Sequence, residues 1–264
     1  MDDLEKARIV VEAAQEIAKA VPVYQDALQP AVREVGKALQ TVAKTIHIAL
    51  APISALVWGY EHIRDFILSR VAEKMKQVPS ERIVTPSPLV AGPTLEALRF
   101  AGHDSTLREM YASLLATSLD SETTHLAHPS FVEIIKNLSP DEAKLIRYMA
   151  VHQNVPLLDV RNGIKGKTGF KLFFSNFSML SYQSIVDFND LLPNYIDNVA
   201  RLGIIEIPEG TYLVDSENYI PLESSDKIQQ MKHDIERDGG EIRFDRKVMR
   251  LTQLGRQFIK ACVE

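Results

Sequence analysis

Two segments near the end of the chain constrain its fold most. Asn198-Val-Ala-Arg-Leu-Gly-Ile-Ile205 reads as the end of a helix that turns at Gly203 into a strand. Roughly forty residues later, Val248-Met-Arg-Leu-Thr-Gln-Leu-Gly-Arg-Gln-Phe258 reads as a strand passing into a last helix. Glycine supplies the left-handed backbone that ends a helix, and a threonine hydroxyl can accept from the unpaired N–H groups of the next. A winged-helix domain uses this order: recognition helix, wing strand, second strand, closing helix. The C-terminal region is therefore expected to be a winged-helix-like α+β domain.

The N-terminal half carries a helical period instead. Leu4, Val11, Ala14, Ala18 and Val21 share one face until Pro22 interrupts. From Val32 through Val35, Leu39, Val42, Ile46, Ala49, Ile53, Leu56, Tyr60, Ile63 and Ile67, apolar residues recur in steps of three and four. Bundle or coiled-coil packing requires such a seam. Pro52 withholds a backbone donor within it and predicts a kink or break. Between Ile46 and Trp58 the polar face is lost, apart from His47 and Ser54, so this stretch is expected to be buried in protein or to meet lipid. It is shorter than a bilayer span, and core burial is the leading reading.

Pro79, Pro86, Pro88 and Pro93 predict an extended, exposed connector. A helix over Thr94–Phe100 follows, then one behind Asp104 or Ser105 that buries Leu107, Met110, Tyr111, Leu114, Leu115 and Leu119. Pro129 opens a short helix, and Ser139-Pro-Asp-Glu142 is a capping box with proline at the first helical position. Further on, Val155–Val160, Phe170–Phe174, Ile204–Ile207, Tyr212–Val214 and Glu241–Leu251 read as strands. Asn189 or Asp190 is expected to cap the helix that ends at Gly203, and Ser224–Arg237 reads as a further helix. Three regions result: 1–78, long amphipathic helices; 79–138, a Pro-rich connector and helices packing on the first; and 139–264, the winged-helix-like domain. The expected fold class is mostly α, an N-terminal helical bundle followed by that α+β domain.

At 264 residues and a net charge of −5, the chain has no broad electrostatic attraction to nucleic acid or anionic lipid. Met1-Asp-Asp-Leu-Glu5 lacks the basic start of a secretory signal, and Cys262 stands alone, so the expected compartment is the cytoplasm. His125-Leu-Ala-His128 has a spacing that two metal-bound imidazoles could use, but His103, Asp120 and Glu122 complete no known ligand set, so a capping role is expected. Gly163-Ile-Lys-Gly166-Lys-Thr168 is two residues short of a Walker loop and joins strands, which makes it a solvated turn whose Lys165, Lys167 and Lys171 could touch an anion. On the expected recognition helix the outward candidates are Asn194, Asp197, Asn198 and Arg201. One cation facing two carboxylates, counting Asp190, is a poor reader of a phosphate backbone. No nucleophile stands with a base at motif spacing, and no carboxylate pair lies in a metal frame. Neither catalytic residue, cofactor nor metal is expected.

The chain resembles the abortive-infection alpha family of bacteria in Val78-Pro-Ser-Glu-Arg-Ile83, Leu107-Arg-Glu-Met-Tyr-Ala-Ser-Leu-Leu115, His128-Pro-Ser-Phe-Val-Glu-Ile-Ile135, Leu192–Gly203 and Leu251–Phe258. The His-Pro-Ser-Phe segment leading into the capping box is the most specific of these. The resemblance implies a role in defence against phage and carries over no catalytic residue. The resulting expectation is a non-enzymatic defence protein acting through a protein partner or self-association. Asn194, Asn198, Arg201, Lys165 and Lys167 are its candidate partner or anion contacts. A winged-helix transcription regulator binding DNA is the alternative. A membrane-active effector using 46–58, with Ile53, Leu56, Val57 and Trp58 meeting lipid on activation, is the second.

Overall fold

The computed structural model describes residues 59–264 apart from Lys165. The helices expected before Gly59 lie outside the described residues, as do Lys165 and the stretch 46–58 with Ile53, Leu56, Val57 and Trp58. The described chain is mostly helical with one small antiparallel sheet of four strands. It divides into two compact units. The first takes in the described residues up to His103 together with Ala112–Pro129, and the second is Asp104–Tyr111 with Ser130–Glu264.

In the first unit, α1 (Tyr60–Phe66) passes through a π turn (Ile67–Val71) into α2 (Ala72–Met75). Ile63, Ile67, Val71 and Met75 are buried at steps of four. In a regular α-helix each such step drifts by about 40°; the wider π turn absorbs that drift and keeps one stripe inward. Helix α3 (Pro88–Ala101) corrects the expected connector, whose second half is helical. Ser87 caps it through the Leu89 N–H, and Pro88 takes the first helical position, where no donor is required. Pro93 is exposed inside the helix and withholds only the donor that would reach the carbonyl of Leu89, a first-turn residue open to water.

The loop after α4 (Ser105–Leu119) is tied back within this unit. Val84 N–H donates to the Leu119 carbonyl and Ser121 N–H to that of Arg82, each at 2.8 Å. Arg82 grips both oxygens of the buried Asp120 and reaches Glu122 at 2.9 Å. That hydrogen bond from Arg82 outweighs burial and holds the Asp120 carboxyl below the ordinary carboxylate range.

Helix α4 starts as expected, with Asp104 Oδ1 accepting from Thr106 and Leu107 N–H at 2.8 Å, and its predicted apolar face is buried. In the second unit, α5 (Ser130–Lys136) leads to α6 (Pro140–Val151). The capping box is present: Ser139 Oγ accepts from Glu142 N–H at 3.3 Å, and Ser139 N–H donates to Glu142 Oε2 at 2.6 Å. Then come β1 (Asn154–Ile164), β2 (Phe170–Phe177), α7 (Leu192–Arg201), β3 (Ile205–Glu206), α8 (Ile220–Glu223), α9 (Asp226–Arg237), β4 (Gly240–Leu251) and α10 (Gln253–Cys262). The sheet order is β2-β1-β4-β3. β1 and β4 pair without a slip from Asn154↔Arg250 to Ile164↔Gly240. β1 and β2 pair irregularly, Val160 with Phe174 and Arg161 with Leu172, so Phe173 falls between partners.

One face of the sheet packs under α8 and α9 through Leu158, Val160, Phe177, Leu222, Ile228 and Ile235. At the other end Phe131 meets Phe258 edge to face at 5.2 Å. Two strand expectations are corrected. Tyr212–Val214 forms no strand, because Leu213 N–H donates to the Tyr219 hydroxyl rather than to a ladder and Val214 is fully in water. The wing strand after Gly203 is cut to Ile205–Glu206, just ahead of Pro208. A 3-10 turn, Asn189–Leu191, leads into α7, in place of the expected side-chain cap. Thr252 caps α10 as expected, accepting from Gly255 N–H at 2.8 Å.

Candidate functional site

Helix α7 holds the residues expected to face a partner; Asn194, Asp197 and Arg201 are exposed, and the half-buried Asn198 is tied to other parts of the same unit. Asn198 Nδ2 donates to Glu142 Oε1 at 2.8 Å and to the Asn137 carbonyl at 3.1 Å. Its Oδ1 accepts from Arg201 at 3.0 and 2.6 Å. The capping box, Asn198 and Arg201 thus form one chain of hydrogen bonds that locks α7 to the start of α6. Asp197 accepts from Asn176 Nδ2 at 2.8 Å. Asn194, exposed like Asp197 and Arg201, has no such tie. Nearby, Asp141 joins α6 to the loop before α7. Burial would raise its carboxyl, but the N–H groups of Asp187 and Phe188 and the Lys144 ammonium outweigh burial and hold it below the ordinary range.

A second polar group ties three strands together. Lys247 Nζ donates to both oxygens of the buried Asp159 at 3.0 Å and to Asn176 Oδ1 at 2.7 Å. Asn176 N–H also donates to Asp159 at 2.8 Å, with Asn176 in the left-handed region at φ 55°. Tyr219 fixes the same spot from behind, donating to the Lys247 carbonyl at 2.9 Å. Lys beside Asp suggests acid–base chemistry, yet the ammonium already has three acceptors here and each carboxylate oxygen a donor. The arrangement closes β2, β1 and β4 on one another.

The polar hollow of about 490 Å³ at the β3 end is similarly self-satisfied. Of its two guanidiniums, Arg250 donates to Glu206 at 2.7 Å and Arg256 to the Leu251 carbonyl at 3.0 Å. His125 lies in a 3-10 turn and His128 in the loop before α5. Among the described residues no three His, Cys, Asp or Glu stand close enough to share a metal ion, and no helix is long and apolar enough to cross a membrane. Cys262 is buried, and that burial pushes its thiol up and away from reactivity.

The surface that sequence reasoning missed is the outer edge of β2. Phe170, Leu172 and Phe173 are each about half exposed, and Ile164, at the end of β1 across the turn, is also in water. Phe174 and Phe177 turn inward, and Tyr182, half exposed, lies edge to face with Phe177, ring centroids 6.4 Å apart. Lys167 and Lys171 are exposed on the same hairpin. Among the described residues no strand pairs with this edge, so a row of backbone N–H and C=O groups is open along it. The signal for it was present: Phe-Lys-Leu-Phe-Phe lacks the alternation expected of a strand with one wet face.

The family model for abortive infection alpha matches residues 59–262. No curated protein gives a significant match. One solved structure, of an uncharacterized protein from the hydrocarbon-degrading marine bacterium Alcanivorax borkumensis SK2, is similar at 17% identity. The alignment covers 55% of this chain and 96% of that one with a TM-score of 0.36, too low to carry an argument.

Proposed function

From the premise that the chain belongs to the abortive infection alpha family, we propose that it is a phage-defence protein of the bacterial cytoplasm that acts through protein contacts. The exposed apolar edge of β2 carries this reading. Soluble proteins blunt long apolar strand edges, and one left open marks a place where another chain docks. The order α6, β1, α7, β3, β4, α10, with β4 between β1 and β3, supports a winged-helix-like domain that has gained β2 on one edge and α8 and α9 inside its wing. The stripe of α1 and α2 supports the end of an N-terminal bundle. In α7, Asn198 is engaged by Asn137 and Glu142 and accepts from Arg201, which favours a protein-binding use of the domain over reading DNA.

Plaque counts on cells with and without the gene, across a broad phage panel, test the defence role. We expect fewer plaques for part of the panel with the wild-type gene and a return to control counts with the double variant Leu172→Asp/Phe173→Asp at equal protein level. Unchanged counts for the wild type would overturn the defence role; full protection by the double variant would overturn the use of this edge.

A further inference from the structure

The β1–β2 hairpin is a basic, aromatic segment in an acidic chain. Between Asp159 and Asp187, Arg161, Lys165, Lys167 and Lys171 stand without a carboxylate and are interleaved with Phe170, Phe173, Phe174, Phe177 and Tyr182, while the whole chain has a net charge of −5. We infer that the outer face of this hairpin binds single-stranded nucleic acid, with a base on the Phe170 ring and phosphates on Arg243, Lys167 and Lys171. This goes beyond the protein-contact reading, since it uses a face of the sheet and not the edge of β2.

The strand register sorts the hairpin into two faces. Val160 pairs with Phe174, and both turn to the core under α8 and α9. Phe170 pairs with Gly163 and Leu172 with Arg161, which stands opposite Arg243 of β4, so these residues share the other face. There Phe170 and Leu172 are each 51% exposed. Arg161 is held by Asp245 and lies over the Phe170 ring at 4.2 Å, which braces the ring while half of the residue stays in water. A Cβ on Gly163 would stand 3.3 Å from Arg243 Nε, so the glycine leaves room for that guanidinium on the floor of the face. Arg243 reaches Glu241 only at 3.4 Å, with the two side chains 41% and 47% exposed, and keeps donors to spare. Lys167 lies in the turn, and Lys171 pairs with Asn162 on the opposite face; both are exposed, with no carboxylate partner among the described residues. Their long stems carry the charges to the rim of the sheet, where their fields add to that of Arg243.

Every base has a π face, so stacking on an aromatic ring tolerates any sequence. Such a platform takes a base that is not already stacked in a helix, which selects a single strand over a duplex. Three cations with Asp245 and Glu241 beside them are too few to follow the two backbones of a duplex. An acidic peptide matches the cations but has no demand for a flat aromatic platform. Few contacts mean low affinity, with a Kd on the order of 10 µM at low salt.

Fluorescence anisotropy of the full purified chain with labelled oligouridine and oligothymidine of about 12 nucleotides tests the inference. Binding of either oligomer is expected at low salt, with log K falling against log salt at a slope near −2, about −0.7 for each of three phosphate contacts. Phe170→Ala should weaken binding about 10-fold and leave that slope unchanged. Phe170→Tyr, which keeps a ring, should bind like the wild type, and this separates stacking from any loss of hairpin stability. Lys167→Ala/Lys171→Ala, at two exposed positions, should weaken binding and flatten the slope by about 1.4. Absence of salt-sensitive binding to either oligomer overturns the inference, as does a duplex of the same length bound as tightly. Displacement by polyglutamate at equal charge concentration overturns it too and gives the patch to an acidic protein, and wild-type affinity in Phe170→Ala removes the platform. A chain that binds the oligomers and does not protect cells fails only the defence reading, and protection without such binding fails only this one.

Discussion

The two edges of the sheet are built in opposite ways. β3 is two residues long, its Glu206 pairs with Arg250 of β4, and a helix presses on the backbone at its start. The N–H of Thr252 donates to the Ile204 carbonyl at 3.0 Å, and Gly255 in α10 comes so close that a Cβ there would stand 2.0 Å from that same oxygen. β2 is eight residues long and half of it projects apolar side chains into water. Both are edges of one sheet in one fold, so the sheet itself does not require an open edge. Closing an edge takes specific residues, here a glycine, a threonine and an ion pair. β2 has one charged residue, Lys171, as a guard, and the rest of its exposed half is suited to a partner.

Within β2 the contrast repeats. Its C-terminal half is held by Asn176 between Asp159, Lys247 and Asp197, and its N-terminal half is held by the ladder to β1 and by Arg161 lying over the Phe170 ring at 4.2 Å. The strand is thus held at both ends, while Leu172 and Phe173 between them stay half exposed.

The largest effect on this contrast is expected from Gly255→Ala. The added methyl has to displace the Ile204 backbone, which should cost roughly 3 kcal/mol and lower the Tm by about 10 °C. A melting curve that overlays the wild type would show that the β3 edge is not pinned by α10. Next comes Lys247→Met, which leaves the buried Asp159 without its cation. A loss of about 2–3 kcal/mol is expected, with faster amide exchange in β2 than in β3; adding Asp159→Asn should recover part of the loss. Equal exchange at the two edges would remove the network as the anchor of β2. The smallest effect belongs to Arg250→Ala. Both partners of that ion pair are about half exposed, so stability should change by no more than about 0.5 kcal/mol in chemical denaturation. A loss several times larger would mean that the pair, rather than close packing, closes the β3 edge.

Most of the described helices could be read from the sequence because their signals are local. Ser139-Pro-Asp-Glu142, Asp104 and Thr252 cap helices as their spacing predicts, since a cap is satisfied within a few residues of itself. Gly203 ends α7 in the left-handed region at φ 76° for the same reason. The readings that changed involved distant partners. Pro88 and Pro93 signalled a connector, yet one fits the first turn of a helix and the other is tolerated on its wet side. Tyr212–Val214 had the composition of a strand, but the available partner for Leu213 was a tyrosine hydroxyl. Asn198 and Arg201 were legible as polar positions of α7; that Asn198 answers to Glu142 and Asn137 was not.

The sequence by itself therefore determined the family, where most of the described helices begin and end, and the alternation of helices with a few strands in the C-terminal part, because caps, turns and periodicity act over a handful of residues. Only the tertiary structure decided which strand stands at an open edge and which at a closed one. Strand order depends on pairings such as Asn154 with Arg250, nearly a hundred residues apart, and no local spacing encodes them. Exposure follows from that order: Leu172 and Phe173 would be core residues in a central strand, and it is the absence of a neighbour beyond β2 among the described residues that puts them in water.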